Sequence, residues 1–289
     1  MNRREGIGVV GTGRVGQALG RLLVDAGEPV VAAAGRSPAH TQAAAGFMGP
    51  SVAAVSITEL RNMADRVLIA VSDDAIEDVA VQLAGSGAPG GIALHTSGAH
   101  GPQLLRALAE AGVSCGVLHP LQTVADADRG VAALRGATFG FGGDAEATRW
   151  AEQIIAIAGG TPLRVPADGF ASYHAGAVMA SNAVVAAVDA AISLMRAAGV
   201  DGAAALSAVG PLCITTARNA SEIGPEAALT GPVQRGDART VGRHVAALAA
   251  CPPHVANLYR ASAHALLAIS RRRGLSDASA RAIEHALDS

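Results

Sequence analysis

An apolar run, Gly6 to Val10, passes directly into "GTGRVGQALG", Gly11 to Gly20, and that junction restricts the fold more than any other stretch of the chain. Gly11, Gly13 and Gly16 form GxGxxG at the end of an expected strand and the start of an expected helix. The first glycine allows a tight turn, the second lets backbone approach a pyrophosphate, and the third lets the helix pack closely. A turn of this kind belongs to a β-α-β unit, and such units build parallel sheets with crossover helices.

The rest of the first half keeps to that plan. Strands are expected at Gly6 to Val10, Val30 to Ala34, Val67 to Val71, Gly91 to His95, Cys115 to Leu118 and Thr138 to Phe141, with an edge strand near Leu163 to Val165. Helical periods fall at Val15 to Ala26, Ala75 to Leu83, Pro102 to Ala111 and Ala145 to Ala158, the last with Asp144 as its N-cap. After "VPADG" the pattern turns to alanine-rich helical stretches without further strands. A helix from Phe170 to Ala198 is closed by Gly199, and others follow near Gly202 to Glu222, Val241 to Ala250, His254 to Arg273 and Asp277 to Leu287. The expected class is α/β: a doubly wound, mostly parallel sheet in residues 1–166, then a smaller all-helical domain in residues 167–289.

Composition removes several functions. A formal net charge of -2 leaves no electrostatic footprint for nucleic acid or an anionic membrane, so a small-molecule substrate is the expected partner. All 22 basic residues are arginine, which excludes any mechanism that needs a lysine. Cys115, Cys213 and Cys251 are widely spaced with no CxxC pair, against both a disulfide framework and a structural zinc; reduced thiols in a cytoplasm fit them. The start, "MNRREGIGVVG", enters a strand and a glycine loop at once, leaving no room for a signal peptide. The most apolar run, Ala175 to Met195, contains Asn182 and Asp189 and is rich in alanine, so it is expected as a buried helix and not a membrane span.

The cofactor is read about twenty residues after the third glycine. NAD-binding sequences place a carboxylate there for the ribose hydroxyl, and a carboxylate would repel a 2'-phosphate. This chain has Gly35, Arg36 and Ser37 instead. A guanidinium forks onto phosphate oxygens and a serine adds a donor, so Arg36 and Ser37 are expected to select NADP(H), the competing reading being a surface arginine in an ordinary turn. Gly11, Thr12, Gly13, Arg14, Val15 and Gly16 are the expected pyrophosphate loop. Val71 and Ser72, at the next strand's carboxyl end, are expected beside the adenosine or ribose. Asp73 and Asp74 read as helix amino-terminal charge and not as metal ligands.

Three clusters offer chemistry. "LHTSGAHG" contributes His95 and Ser97, and "VLHPLQT" contributes His119 and Gln122, both leaving the sheet on the expected nicotinamide side. "YHAGAVMASN" puts His174, Val178, Ser181 and Asn182 along one helix face, because steps of four and eight residues return to within about 40° and about 80°. A core histidine is the competing reading for His174. "TGPVQRGDARTVGRH" holds Arg235 and Asp237, either a carboxylate anchor with its brace or a capping pair. His119, His174, Ser97 and Asn182 are the catalytic candidates; Gln122 and Arg235 are candidates for substrate binding.

Taken together, GxGxxG, "HTSGA", "HPLQT", "YHAGAVMASN" and "GPVQRGD" resemble the bacterial Rossmann-like reductases that carry domain of unknown function 2520, within the wider 6-phosphogluconate dehydrogenase-like superfamily. The resemblance implies an NADP-binding Rossmann domain, an all-helical carboxyl-terminal domain and a homodimer formed through the helical half. Ketopantoate reductases and β-hydroxyacid dehydrogenases are similar in layout but set a catalytic lysine one turn before an asparagine; here Asn182 is preceded by Val178. Prephenate dehydrogenases are similar through an "HP" motif whose histidine maps to His119, and pyrroline-5-carboxylate reductases need no lysine. The expected activity is NADPH-dependent reduction of a small carbonyl acid, such as a ketopantoate-like 2-oxo acid. A histidine supplies the proton, His174 before His119, with Ser97 or Asn182 on the substrate oxygen and Arg235 on its carboxylate. The alternatives are an imine reductase, a prephenate-type dehydrogenase and a non-catalytic NADP(H)-binding sensor. No metal is expected, since the histidines lack ligand spacing.

Overall fold

The computed structural model describes residues 6–87 and 90–289; residues 1–5, which begin the segment read as excluding a leader, and residues 88–89 lie outside the described residues. Among the described residues the strands are β1 (Ile7–Val10), β2 (Val30–Ala34), β3 (Ala53–Val55), β4 (Arg66–Ile69), β5 (Ile92–His95), β6 (Ser114–Pro120), β7 (Thr138–Gly143) and β8 (Thr161–Arg164). They form one sheet in the order β3-β2-β1-β4-β5-β6-β7-β8. All neighbours are parallel except β6 and β7. The doubly wound, mostly parallel α/β class is therefore correct, with the order reversing between β1 and β4.

The helices of this half are α1 (Arg14–Asp25), α2 (Pro38–Met48), α3 (Ile57–Met63), α4 (Ile76–Ala84), α5 (Arg106–Glu110), α6 (Ala127–Leu134) and α7 (Ala145–Ile157). Two apolar layers cover the sheet. One joins Ile7 and Val9 to Leu19 and Leu23 of α1, Met48 of α2 and Trp150 of α7. The other joins Val10 and Ile69 to Leu60 of α3, Val79 and Leu83 of α4 and Leu108 of α5. Strand residues buried on both faces are apolar, which is why β1 reads IGVV and β4 continues as VLI after half-buried Arg66.

Several short elements lie where the sequence reading has none: β3, α2, α3 and α6. Their signals are local caps. Ser37 caps α2 ahead of Pro38, Ser56 and Glu59 close a capping box on α3, and Asp126 caps α6. Asp144 does hold the N-cap position of α7 but makes no cap bond; its carboxylate accepts from the Cys115 amide on β6 at 2.9 Å. β6 also runs two residues further than expected, because pairing with antiparallel β7 carries the ladder through His119 and Pro120.

The chain divides into two compact units, Met1–Val178 and Met179–Ser289. The division falls inside α8 (Phe170–Ala197), and α9 (Gly202–Ala228), α10 (Pro232–Arg235), α11 (Ala238–Ala247), α12 (Pro253–Arg272) and α13 (Asp277–Asp288) follow. α9 is two helices joined at Gly224, whose φ of 81° breaks the helical path ahead of Pro225. The core of the second unit is built by Val241, Val245, Leu267, Ile283 and Leu287, with Leu194 of α8 against it.

α8 departs from expectation. It is long and apolar enough to cross a membrane, with a mean hydropathy of 1.7 over its most apolar window, yet only 6% of that window is buried. The expected buried helix is thus an exposed one in the single chain. Met179, Val185, Leu212 and Ile214 on α8 and α9 stand between 62% and 71% exposed, because the core of the second unit is closed mainly by α10 to α13.

Candidate functional site

The glycine loop sits where the strand order reverses. Gly11 has φ 119°, and a side chain there would collide with the carbonyl of Ala70 at the end of β4. A side chain on Gly16 would collide with the Gly11 carbonyl, so α1 lies hard against the turn. Gly13 differs, because a Cβ there meets no atom within 4 Å. Two glycines are thus demanded by the protein's own packing, whereas the third faces open space. Gly13 is also the N-cap of α1, with no side-chain cap and no acidic residue in the first turn. The helix presents unsatisfied amide N–H groups of Arg14 and Val15 beside that space, a setting that favours an anion. Thr12 is held by Gln17, whose Nε2 donates to the Thr12 carbonyl at 2.8 Å.

Arg36 is exposed beyond β2 and makes no hydrogen bond or ion pair among the described residues. Ser37 caps α2 by accepting from the His40 amide at 3.4 Å, which leaves its own hydroxyl proton to donate. A side chain at Gly35 would stand 2.7 Å from Thr12 Cγ2, so a carboxylate at this place could enter only by displacing Thr12. Val71 is half-buried and Ser72 exposed after β4.

The second cluster is built around β7, whose sequence TFGFGG alternates large and absent side chains. Phe139 and Phe141 enter the core on one face of the sheet. Gly140 and Gly142 leave the other face bare, and Tyr173 and Phe170 of α8 lie over them. Phe170, 1% exposed, packs with Val117 and Val165 and so anchors the start of α8; Tyr173 follows one turn on. His119, paired with Gly140 across β6 and β7, meets Tyr173 there: its Nδ1 is 2.8 Å from the tyrosine hydroxyl. The ring of His174 stands edge-on to His119 with centroids 5.6 Å apart. Gly98 closes the group, since a Cβ on it would lie 2.6 Å from His174 Cδ2 and 2.7 Å from His119 Nε2.

His95 ends β5 and is fully buried. Its Nδ1 accepts from the Ser97 amide at 3.2 Å, so its other nitrogen carries the proton and donates to the Gly101 carbonyl at 2.9 Å. This histidine ties its loop together. Burial holds it neutral and pushes its pKa down to about 4, against the opposing Gly101 bond. His119 is also pushed down to about 4, chiefly by burial and then by neighbouring His174, with Asp73 opposing. Ser97 is 5% exposed, and its hydroxyl is taken up by His100 Nδ1 at 3.1 Å. Asp73 approaches the same nitrogen at 3.4 Å. Because serine and carboxylate share one ring nitrogen, the trio cannot act as a nucleophile triad, which uses both.

His95, Ser97, His119 and His174 are thus brought together in the first unit, joined by Tyr173, His100 and Asp73, which the sequence reading passed over as site residues. The signal for Tyr173 lay in the F-G-F-G alternation of β7, which leaves a slot for an aromatic from elsewhere. Gln122 is exposed, its Oε1 accepting from the Thr123 amide at 2.9 Å. Asn182 and Arg235 belong to the second unit. Asn182 is exposed and accepts from Ser181 Oγ at 2.9 Å. Arg235 is exposed at the end of α10, and Asp237 is a capping residue: it accepts from the Thr240 amide and hydroxyl, which hold its carboxyl below the usual range. Among the described residues no three His, Cys, Asp or Glu side chains converge to hold a metal ion.

A sheet reversing at a GxGxxG turn defines a Rossmann-like protein, and residues 1–120 match the Rossmann-like domain model. Residues 137–266 match the domain of unknown function DUF2520. The chain belongs with the Rossmann-like proteins that carry a DUF2520 carboxyl-terminal domain, the family its motifs resemble. No curated protein matches its sequence. Among solved structures, a Bacteroides fragilis protein provisionally described as an NADP oxidoreductase is 20% identical, with 91% of this chain and 98% of that one covered and a TM-score of 0.74. The protein TM1727 of Thermotoga maritima is 22% identical over 92% and 99% of the two chains, with a TM-score of 0.71. A reductive aminase from Aspergillus terreus, solved with NADPH and ethyl levulinate, is 17% identical over 98% and 99%, with a TM-score of 0.64. At such identities the likeness establishes the fold.

Proposed function

We propose that the protein is an NADP(H)-dependent oxidoreductase that reduces a small carbonyl acid of the 2-oxo acid type. The observation that carries this reading is the asymmetry of the glycine loop: packing demands Gly11 and Gly16, while bare Gly13 faces open space beside uncapped helix amides. That is the cradle a pyrophosphate needs. Arg36 and Ser37 would hold the 2'-phosphate, and the close approach of Gly35 to Thr12 disfavours the carboxylate that an NAD ribose needs. NADPH, when bound, supplies the hydride. The Bacteroides protein and the Aspergillus reductive aminase, as named, support this cofactor.

On the protein's side, His119 is the better proton donor of the two histidines. It is neutral at working pH, so it serves as an N–H donor to a developing alkoxide and not as an imidazolium. His174 borders it. Ser97 braces the loop through His100, and Gln122 is the candidate of the same unit for a contact to the substrate. Imine reduction is the second reading. It is favoured by the neutrality of His119, because an iminium needs no acid at the site.

The test is a titration of NADPH and NADH into wild type and Arg36→Ala, followed by NADPH consumption against 2-oxo acids and cyclic imines. NADPH is expected to bind at least about tenfold more tightly than NADH, about 1.4 kcal/mol, and the variant to lose the preference. If neither nucleotide binds, the glycine loop serves only the fold and the sensor reading fails with the enzyme reading.

The exposed apolar faces of α8 and α9 are assigned to a homodimer, in keeping with a cytoplasmic protein whose three cysteines are free. Sedimentation should give a dimer, and Val185→Asp, at a position 71% exposed in the single chain, should shift it toward monomer. Wild type that sediments as a monomer, or floats with lipid vesicles, would remove the assignment.

A further inference from the structure

His119 has two ring nitrogens in different surroundings. Nδ1 is 2.8 Å from the Tyr173 hydroxyl. Nε2 makes no hydrogen bond among the described residues, and it is not among the buried polar atoms left without a partner, so it remains open to solvent or ligand. The Tyr173 hydroxyl lies over Gly140, where a side chain would collide with it, and it makes no other hydrogen bond among the described residues. Burial raises the Tyr173 pKa and keeps the phenol protonated, and Nδ1 is the one acceptor beside its O–H among the described residues. The two aromatic rings stand at 88°, with centroids 5.5 Å apart, and Phe170 is edge-on to Tyr173 at 6.2 Å. Phenol and imidazole are thereby held by packing as well as by the bond.

We propose that Tyr173 is a positioning residue that fixes His119 as the Nε2–H tautomer, leaving that N–H aimed away from the tyrosine as the proton-donating group of the site. The inference rests on the reductase reading for its chemistry, though not for its geometry. When a substrate alkoxide takes the Nε2 proton, that N–H bond breaks and the Tyr173 O–H proton moves to Nδ1. The ring stays neutral throughout. The tyrosinate left behind is short-lived, because burial raises the Tyr173 pKa and favours its reprotonation. The pair resets when Nε2 takes a proton from solvent and Nδ1 returns its own to Tyr173. Over a cycle one solvent proton is consumed per hydride, and no imidazolium is formed. His174, Asp73 and His95 are the titratable groups whose charge reaches His119.

The experiment is nitrogen-15 NMR of the histidine rings in the full-length protein without nucleotide, with His119→Gln to assign the His119 signals. In wild type near neutral pH the unprotonated nitrogen of His119 is expected to be Nδ1 and the protonated one Nε2. In Tyr173→Phe the ring is expected to exchange between tautomers, its two nitrogen signals moving toward each other. A wild-type ring protonated on Nδ1, or a Tyr173→Phe ring unchanged from wild type, overturns the proposal. A kinetic arm uses any carbonyl substrate found to turn over: Tyr173→Phe should lower kcat about 10- to 100-fold with KM and NADPH affinity within about twofold. Loss of the tautomer preference with kcat unchanged would reject the role in turnover. If no nucleotide binds, the reductase reading fails, and the NMR result still decides the tautomer.

Discussion

Gly98→Ala is expected to lower kcat about 100-fold while leaving NADPH affinity within about twofold, the signature of misplaced chemistry and not of lost cofactor binding. The reason is steric. The new methyl would sit 2.6 Å from His174 Cδ2 and 2.7 Å from His119 Nε2, inside contact distance of both rings. His119 cannot retreat freely, because its far side is bonded to Tyr173 and its backbone is locked in β6 against Gly140. Either ring must then turn from its place, and the Nε2–H donor moves with it. The measurement pairs steady-state kinetics with nucleotide titration on the same preparation. A variant that keeps wild-type kcat would show that neither histidine takes part in the slow step; one that loses nucleotide affinity instead would move the defect to the glycine loop.

Acid is expected to destabilise the first unit between about pH 6.5 and about pH 4, the interval between the ordinary histidine pKa and the lowered values of His95 and His119. Both groups are neutral when folded, and the unfolded chain binds their protons more readily. Their contribution is therefore complete above the unfolded pKa and drains away as pH falls toward the folded one. A displacement from 6.5 to about 4 corresponds to roughly 3 kcal/mol for each group. Asp73 works against both shifts, while His100 reinforces that of His95 and His174 that of His119. Trp150, the single tryptophan, is buried on α7 in this unit and reports its unfolding. Denaturant titrations followed by its fluorescence should show the midpoint falling across that window. His95→Gln should start lower, having lost the bond from the Ser97 amide, yet fall less steeply. Equal slopes in the two proteins would mean that His95 is protonated in the fold or that other groups govern acid unfolding.

The carboxyl ends of β1, β2 and β5, the GxGxxG turn and the exposed arginine after β2 were legible without coordinates because each depends on neighbours in sequence. An apolar run buried on both faces, a glycine forced to positive φ and a cap such as Ser37 ahead of Pro38 are local demands. The short elements β3, α2, α3 and α6 escaped notice because three to eleven residues carry little periodic signal, although their caps were present. Histidines 95, 119 and 174 were also found as residues, since they stand at strand ends and at the start of a helix.

Which of those histidines does what was decided by tertiary structure alone. His95 and His119 are alike in sequence context, each following a leucine at the end of an apolar strand. One is closed off by the Gly101 carbonyl and the Ser97 amide, while the other keeps a nitrogen open and meets a tyrosine 54 residues away. That meeting depends on Gly140 and Gly142 clearing a face of β7 for α8, a relation between segments remote in the chain. The exposure of α8 was equally beyond reach, since an alanine-rich apolar helix has one composition whether the rest of its own chain covers it or leaves it exposed. Sequence by itself determined the longer strands, the glycine turn and the residue types available for chemistry, all of which answer to local geometry and solvent transfer. Packing between distant segments decided the protonation, the free donor and the exposed face, because desolvation and hydrogen-bond pairing exist only once those segments have met.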